Sequence, residues 1–127
     1  MLHLVSKGLS GKLPTSEFVL MEDDVRVGMI QIRHQPSRSA TMPVDFASHI
    51  YYEIDPAFRG KGYGKKILEL GLAEARNIGL REVIITCDAS NVASRKIIEA
   101  NDGELVSEAI VPETGKTFLK FAIRFVD

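Results

Sequence analysis

The sequence predicts a mixed α/β domain built on one central sheet. Three observations lead there. Apolar runs with strand-like patterning precede Asp55, two segments with helical apolar spacing follow it, and a short β-branched run, EVIITC, lies between those two. The predicted order is β-β-β-α-β-α-β-β, and 127 residues suffice for one domain with a single core, spanning residues 1–127.

Met1 to Ser16 carries glycines, a proline and little periodicity, and reads as a loop or tail. Glu17 to Glu22 and Val25 to Arg33 are apolar runs separated by Asp23-Asp24, which predicts a hairpin. RHQPSRSATMP then reads as an exposed loop. Phe46 to Ile54 predicts a strand, with Ile50, Tyr52 and Ile54 on one face and His49, Tyr51 and Glu53 on the other. From Gly62 to about Leu80, Gly64, Leu68, Gly71, Leu72 and Ala75 recur at helical spacing, and Gly79 is a suitable terminator. EVIITC suits a strand covered on both faces. NVASRKIIEAN predicts a helix with Asn91 as its N-cap. ELVSEAIV and TFLKFAIRF predict a closing antiparallel pair joined by the turn PETGK.

Composition narrows the function. A net charge of -1 gives no global field to attract nucleic acid. No apolar run reaches the roughly 18 residues of a membrane span and the start lacks a signal-peptide layout, so a cytoplasmic protein is expected. The one cysteine, Cys87, excludes a multi-cysteine zinc site, and no metal is expected. Positive charge is local instead. RGKGYGKK places three glycines and four basic side chains in Arg59 to Lys66, at the start of a helix. Helix N-termini bind anions through free N–H groups and the helix dipole, and glycines let the backbone approach closely. A phosphate-bearing ligand follows. The dinucleotide fingerprint fails because Lys65 stands where its third glycine belongs, and the P-loop fails because Lys66 stands where Ser or Thr belongs.

What remains is Arg-x-x-Gly-x-Gly, made by Arg59, Gly62 and Gly64, after a strand ending in IDP. With NVASRKIIEANDG and the element order, this layout resembles the GNAT superfamily of acetyl-CoA-dependent N-acetyltransferases over roughly Glu17 to Phe125. The helix segment is most similar to a subgroup of predicted acetyltransferases with an N-x-A-S-x-K-x-I-E pattern. The resemblance implies a mostly antiparallel sheet splayed around a coenzyme A cleft. It also implies a pyrophosphate cradle of Arg59, Gly60, Lys61, Gly62, Tyr63, Gly64 and Lys65. Main-chain groups from Tyr52 to Ile54 would pair with the pantetheine amides, Asn91 and Ser94 would meet the arm from the other side, and Lys96 would reach the adenosine 3'-phosphate. For Ser94 and Lys96, an ordinary helix-surface role is the competing reading.

The implied reaction is direct attack of a primary amine on the acetyl-CoA thioester. An amine of pKa about 10.4 lies about 3.4 units above neutrality, so holding it deprotonated costs roughly 4.6 kcal/mol at pH 7. A base removes much of that barrier. Glu53 is the first candidate and His49 the second, both on the strand beside the expected thioester; a surface role is the alternative for each. His34 would border the acceptor pocket or be incidental, Asp88 reads as a turn cap, and Cys87 reads as core.

Two departures from the family pattern stand out. Ile98 occupies the position where many members carry a tyrosine that protonates the departing thiolate, leaving Tyr51, Tyr52 and Tyr63 as possible substitutes. The start of the chain also lacks the expected N-terminal strand and helices, and an uncovered strand edge would favour a homodimer. Two other classes stay open: a non-catalytic acyl-CoA-binding or regulatory domain, and an interaction module whose basic turn docks an acidic partner.

Overall fold

The computed structural model of the chain describes residues 1–11 and 13–126. Its elements run β1 (Leu2–Ser10), β2 (Thr15–Glu22), β3 (Val25–Ser37), β4 (Ser48–Ile54), a 3-10 turn (Pro56–Phe58), α1 (Tyr63–Asn77), β5 (Glu82–Asp88), α2 (Val92–Ala100), β6 (Glu104–Val111) and β7 (Lys116–Arg124). The mixed fold class stands. The single sheet does not: β1-β2-β3-β4 form one antiparallel sheet and β5-β7-β6 a second. No ladder joins β4 to β5, although the two strands remain neighbours, so the expected splay falls between two sheets.

The first strand corrects the expected loop or tail at 1–16. Leu2 and Leu4 alternate with exposed His3 and Val5 and pack on the core, so the period-two signal lasts only four residues. A register shift between Ser6 and Gly8, with Gly8 at φ 87°, then breaks the alternation. β1 therefore supplies the N-terminal strand expected to be missing, and it passes to β2 as a hairpin. β3 also outruns expectation, continuing to Ser37 through Pro36. Its ladder with β4 is interrupted between Ile32 and Ser37, where a proline forfeits no ladder bond.

The remaining elements follow their sequence signals. Asp23 adopts φ 52° in the two-residue β2–β3 turn. α1 buries Ile67, Leu68, Gly71, Leu72 and Ala75 on one stripe and ends before Gly79 at φ 96°. A Cβ at Gly71 would lie 2.4 Å from Ile30 Cδ1 of β3, so α1 rests directly on the first sheet. The core joins both sheets through Leu20, Ile30, Ile32, Leu68, Val83, Leu119 and Phe121.

Candidate functional site

Between β4 and β5 lies a cleft of about 720 Å³. Its walls come from Ile50 to Ile54 of β4, Ile85 to Asp88 of β5, the turn after β4, and the first turns of both helices. That volume suits an extended organic ligand.

The mouth of the cleft is the glycine loop, and its three glycines have two distinct causes. Gly60 and Gly62 sit at φ 76° and 87°, and a Cβ at either would meet nothing within 4 Å, so conformation is what requires them. Gly64 is helical, and a Cβ there would lie 2.5 Å from Ile97 Cδ1. It lets α1 pack against α2. Gly62 is the N-cap of α1, no side chain caps that end, and no acidic residue occupies the first turn. The leading N–H groups thus retain the dipole's positive end without internal compensation.

The basic residues of the loop divide. Lys65 lines the cleft, as does Lys96 from α2. Lys61 does not; its ammonium lies 5.8 Å from the centre of the Phe58 ring, which in turn packs edge-on to Tyr63. Arg59 turns back to β4, donating from Nε to the Ile54 carbonyl at 2.9 Å and approaching Glu53 Oε1 at 3.5 Å.

Glu53 lines the cleft half-exposed, bracketed by Arg59 and by the Tyr51 hydroxyl, which donates to Oε2 at 3.0 Å. That bond holds the Tyr51 phenol above its ordinary pKa. On the opposite wall Asn91 caps α2, accepting from the Ser94 N–H at 3.1 Å. Ser94 Oγ meets Tyr52 Oη at 3.2 Å across the cleft. Burial pushes the Tyr52 phenol pKa up, with the Ser94 contact acting the other way. Tyr52 therefore stays protonated at neutral pH.

One expectation needs correction. His49, the second base candidate, does not line the cleft. It is buried, and its Nδ1 accepts the Ile84 N–H at 2.9 Å, so its lone pair is already committed. His34 is also outside the cleft, with Nε2 2.7 Å from Ser16 Oγ. Cys87 is part of the core, as expected, and also lines the cleft; burial raises its thiol pKa. Asp88 is a turn cap: Oδ1 accepts from the Ser90 N–H and hydroxyl, and the N–H bond is the main cause holding its carboxyl below the usual range. Ile98 is fully buried and faces the core rather than the cleft. Sequence reasoning missed the Tyr52–Ser94 bridge because the partners lie 42 residues apart.

A glycine cradle at a helix start, opening into a gap between two strands that do not pair with each other, is a distinctive arrangement. The model of the acetyltransferase (GNAT) family matches residues 8–102. This chain belongs to the GNAT acetyltransferase family. Solved structures share the fold. One is yncA of Salmonella typhimurium, described as a proposed acetyltransferase with its cofactor acetyl-CoA, at TM-score 0.70 and 18% identity over 89% of this chain and 66% of that one. Another is the ribosomal L7/L12 α-N-protein acetyltransferase RimL in complex with coenzyme A, at TM-score 0.67 and 18% identity over 87% and 62%. A third is the spermidine/spermine N-acetyltransferase SpeG of Vibrio cholerae, at TM-score 0.69 and 12% identity over 87% and 66%. This GNAT chain thus spans 62% to 66% of the lengths of these three. No curated protein sequence matches it. Among the described residues no cluster of metal-ligating side chains occurs, and no helix is long and apolar enough to cross a membrane.

Proposed function

We propose that this chain moves the acetyl group of acetyl-CoA to a primary amine by direct attack. The observation that carries the reading is the cleft itself. It runs from the uncompensated N-terminus of α1, at Gly62, between β4 and β5 to the Tyr52–Ser94 pair. The pyrophosphate would rest on the Gly60–Lys65 loop, the helix dipole favouring its charge. The pantetheine arm would enter the gap beside the main chain of Tyr52 to Ile54, with Asn91 and Ser94 opposite. Lys96 would take the adenosine 3'-phosphate.

Glu53 is the proposed base. Its carboxylate lines the cleft, is half-exposed, and accepts a hydrogen bond from Tyr51. The amine loses its proton to Glu53, nitrogen bonds to the thioester carbon, and the carbon–sulfur bond then breaks. Among the three tyrosines, Tyr52 reaches across the gap, and its phenol is the donor proposed to meet the leaving sulfur. A thiol of pKa near 8.5 needs little assistance at neutral pH.

Structural neighbours named for peptide N-termini and for polyamines share the fold, so both acceptor types belong in the test. Calorimetric titration with acetyl-CoA and desulfo-CoA, alongside Gly62→Glu, examines the cleft. Transfer to polyamines, N-terminal peptides, amino acids and aminoglycosides examines the reaction. Absence of coenzyme binding would refute it.

A second reading has its own support. Ile98, at the position where the family pattern carries a tyrosine, is buried. A chain that binds acyl-CoA without transfer would show tight coenzyme binding and no product with any amine.

A homodimer belongs to the proposal as well. β6 is the outer strand of its sheet, and Leu105, Val106 and Ile110 on it are exposed. Sedimentation showing a monomer across micromolar concentrations would remove it.

A further inference from the structure

We infer that His49 is a positioning residue, a pin at the apex of the gap that sets how far apart β4 and β5 stand. The inference rests on the coenzyme reading of the cleft and adds a residue that lies outside it.

Adjacent strands are normally held about 4.8 Å apart by main-chain hydrogen bonds. β4 and β5 lack such a ladder. The hydrogen bond that links them runs instead from the Ile84 N–H to His49 Nδ1, at 2.9 Å. An imidazole thus stands where a carbonyl would otherwise stand, and its ring rather than the backbone spaces the strands.

Its position gives this bond leverage. Ile50 and Ile85, the next residues on the two strands, are the first from each to line the cleft. From there β4 continues to Ile54 and β5 to Asp88, arms of about 13 Å and about 10 Å at roughly 3.3 Å per residue. A small change of spacing at the apex changes the gap along its whole length.

The pin is locally well determined. His49 is buried at 8% exposure, and Arg33 of β3 and Glu82 of β5 are the charged groups that act on the ring. Arg33 is tied to the Ser48 carbonyl and hydroxyl at 3.2 Å each, and Glu82 to Arg124 of β7 at 2.9 Å. With Nδ1 accepting, a neutral ring carries its proton on Nε2.

Asparagine and glutamine separate the pin from mere core filling. Asn puts an acceptor where Nδ1 is, and Gln puts it near Nε2. In the full chain, amide exchange at Ile84 and acetyl-CoA affinity are measured for wild type, His49→Asn, His49→Gln and His49→Leu. Phe18→Leu in β2, two strands from the gap, serves as a stability control. The pin predicts slow Ile84 exchange in wild type and His49→Asn, and faster exchange in the Gln and Leu variants. It predicts acetyl-CoA binding about fivefold weaker in those two, within about twofold of wild type in His49→Asn, and unchanged in Phe18→Leu. Should His49→Leu fail to fold, the Asn–Gln pair still decides. Equal Ile84 exchange in Asn and Gln variants, or equal affinity in all, overturns the pin. If wild type binds no acetyl-CoA, the coenzyme reading fails and the claim about gap width falls with it, while Ile84 exchange separately judges the bond.

Discussion

Tyr52 Oη and Ser94 Oγ, on opposite walls of the cleft, approach to 3.2 Å and close a bridge between β4 and α2. A phenol is protonated at neutral pH and burial raises this one's pKa further, so Tyr52 is placed to donate a proton. If it donates to the leaving sulfur, Tyr52→Phe lowers kcat about tenfold and leaves acetyl-CoA affinity within about threefold, a modest effect because a thiolate already leaves readily. Ser94→Ala, which keeps the phenol but removes its partner, has the smaller effect on kcat. Steady-state kinetics beside calorimetry checks both. A Tyr52→Phe enzyme with unchanged kcat excludes the donor role.

The glycines of the loop predict different responses to one methyl group. Gly62→Ala forces a side chain into φ 87°, costing about 1–2 kcal/mol. It also disturbs the N-terminal turn that would hold the pyrophosphate. Gly64→Ala brings a Cβ to 2.5 Å from the end of Ile97, a flexible side chain that can move, while alanine favours the helix by up to about 1 kcal/mol. Urea titration is expected to show a clear loss for Gly62→Ala and a change within about 1 kcal/mol for Gly64→Ala.

Much of this was legible in the sequence wherever the signal was local. Gly60, Gly62 and Asn91 carry their conformational roles in residue type and position, and α1 announces its buried stripe by spacing. β1 was not legible because its alternation stops at a bulge, and β3 hid its end behind Pro36. His49 was misread for a different reason. Alternation placed it on a face with Glu53, but its partner Ile84 lies 35 residues away on a strand that pairs elsewhere. Periodicity fixes which side a residue faces; it carries no information on what waits there.

Glu53 gives a third prediction. As the base, Glu53→Gln lowers kcat by about tenfold to a hundredfold without weakening acetyl-CoA binding, because β4 meets the pantetheine arm through its main chain rather than through the Glu53 side chain. The Tyr51→Phe variant removes the donor on Oε2 and is expected to lower the rate less than Glu53→Gln does. Equal rates for wild type and Glu53→Gln with a confirmed acceptor reject the assignment.

Stability against pH tests His49 without any ligand. Its folded pKa lies below the ordinary 6.5, chiefly because burial disfavours the charged ring, with Glu82 opposing and Arg33 adding to the shift. Above pH 6.5 the ring is neutral in both folded and unfolded chains, and its contribution is fully present. As pH falls below that value the unfolded chain takes up the proton first, so stability declines until the folded ring titrates too. Asp88 behaves in the same direction at lower pH. Its folded pKa lies below 3.8, so its contribution persists through weak acid and is lost only in strong acid. The region just below pH 6.5 therefore isolates the histidine. Urea midpoints measured downward from about pH 7.5 are expected to fall in wild type, and to stay flatter in His49→Asn, which keeps an acceptor for Ile84 but cannot titrate. Parallel curves for the two proteins would mean that the neutral imidazole is not what the fold selects.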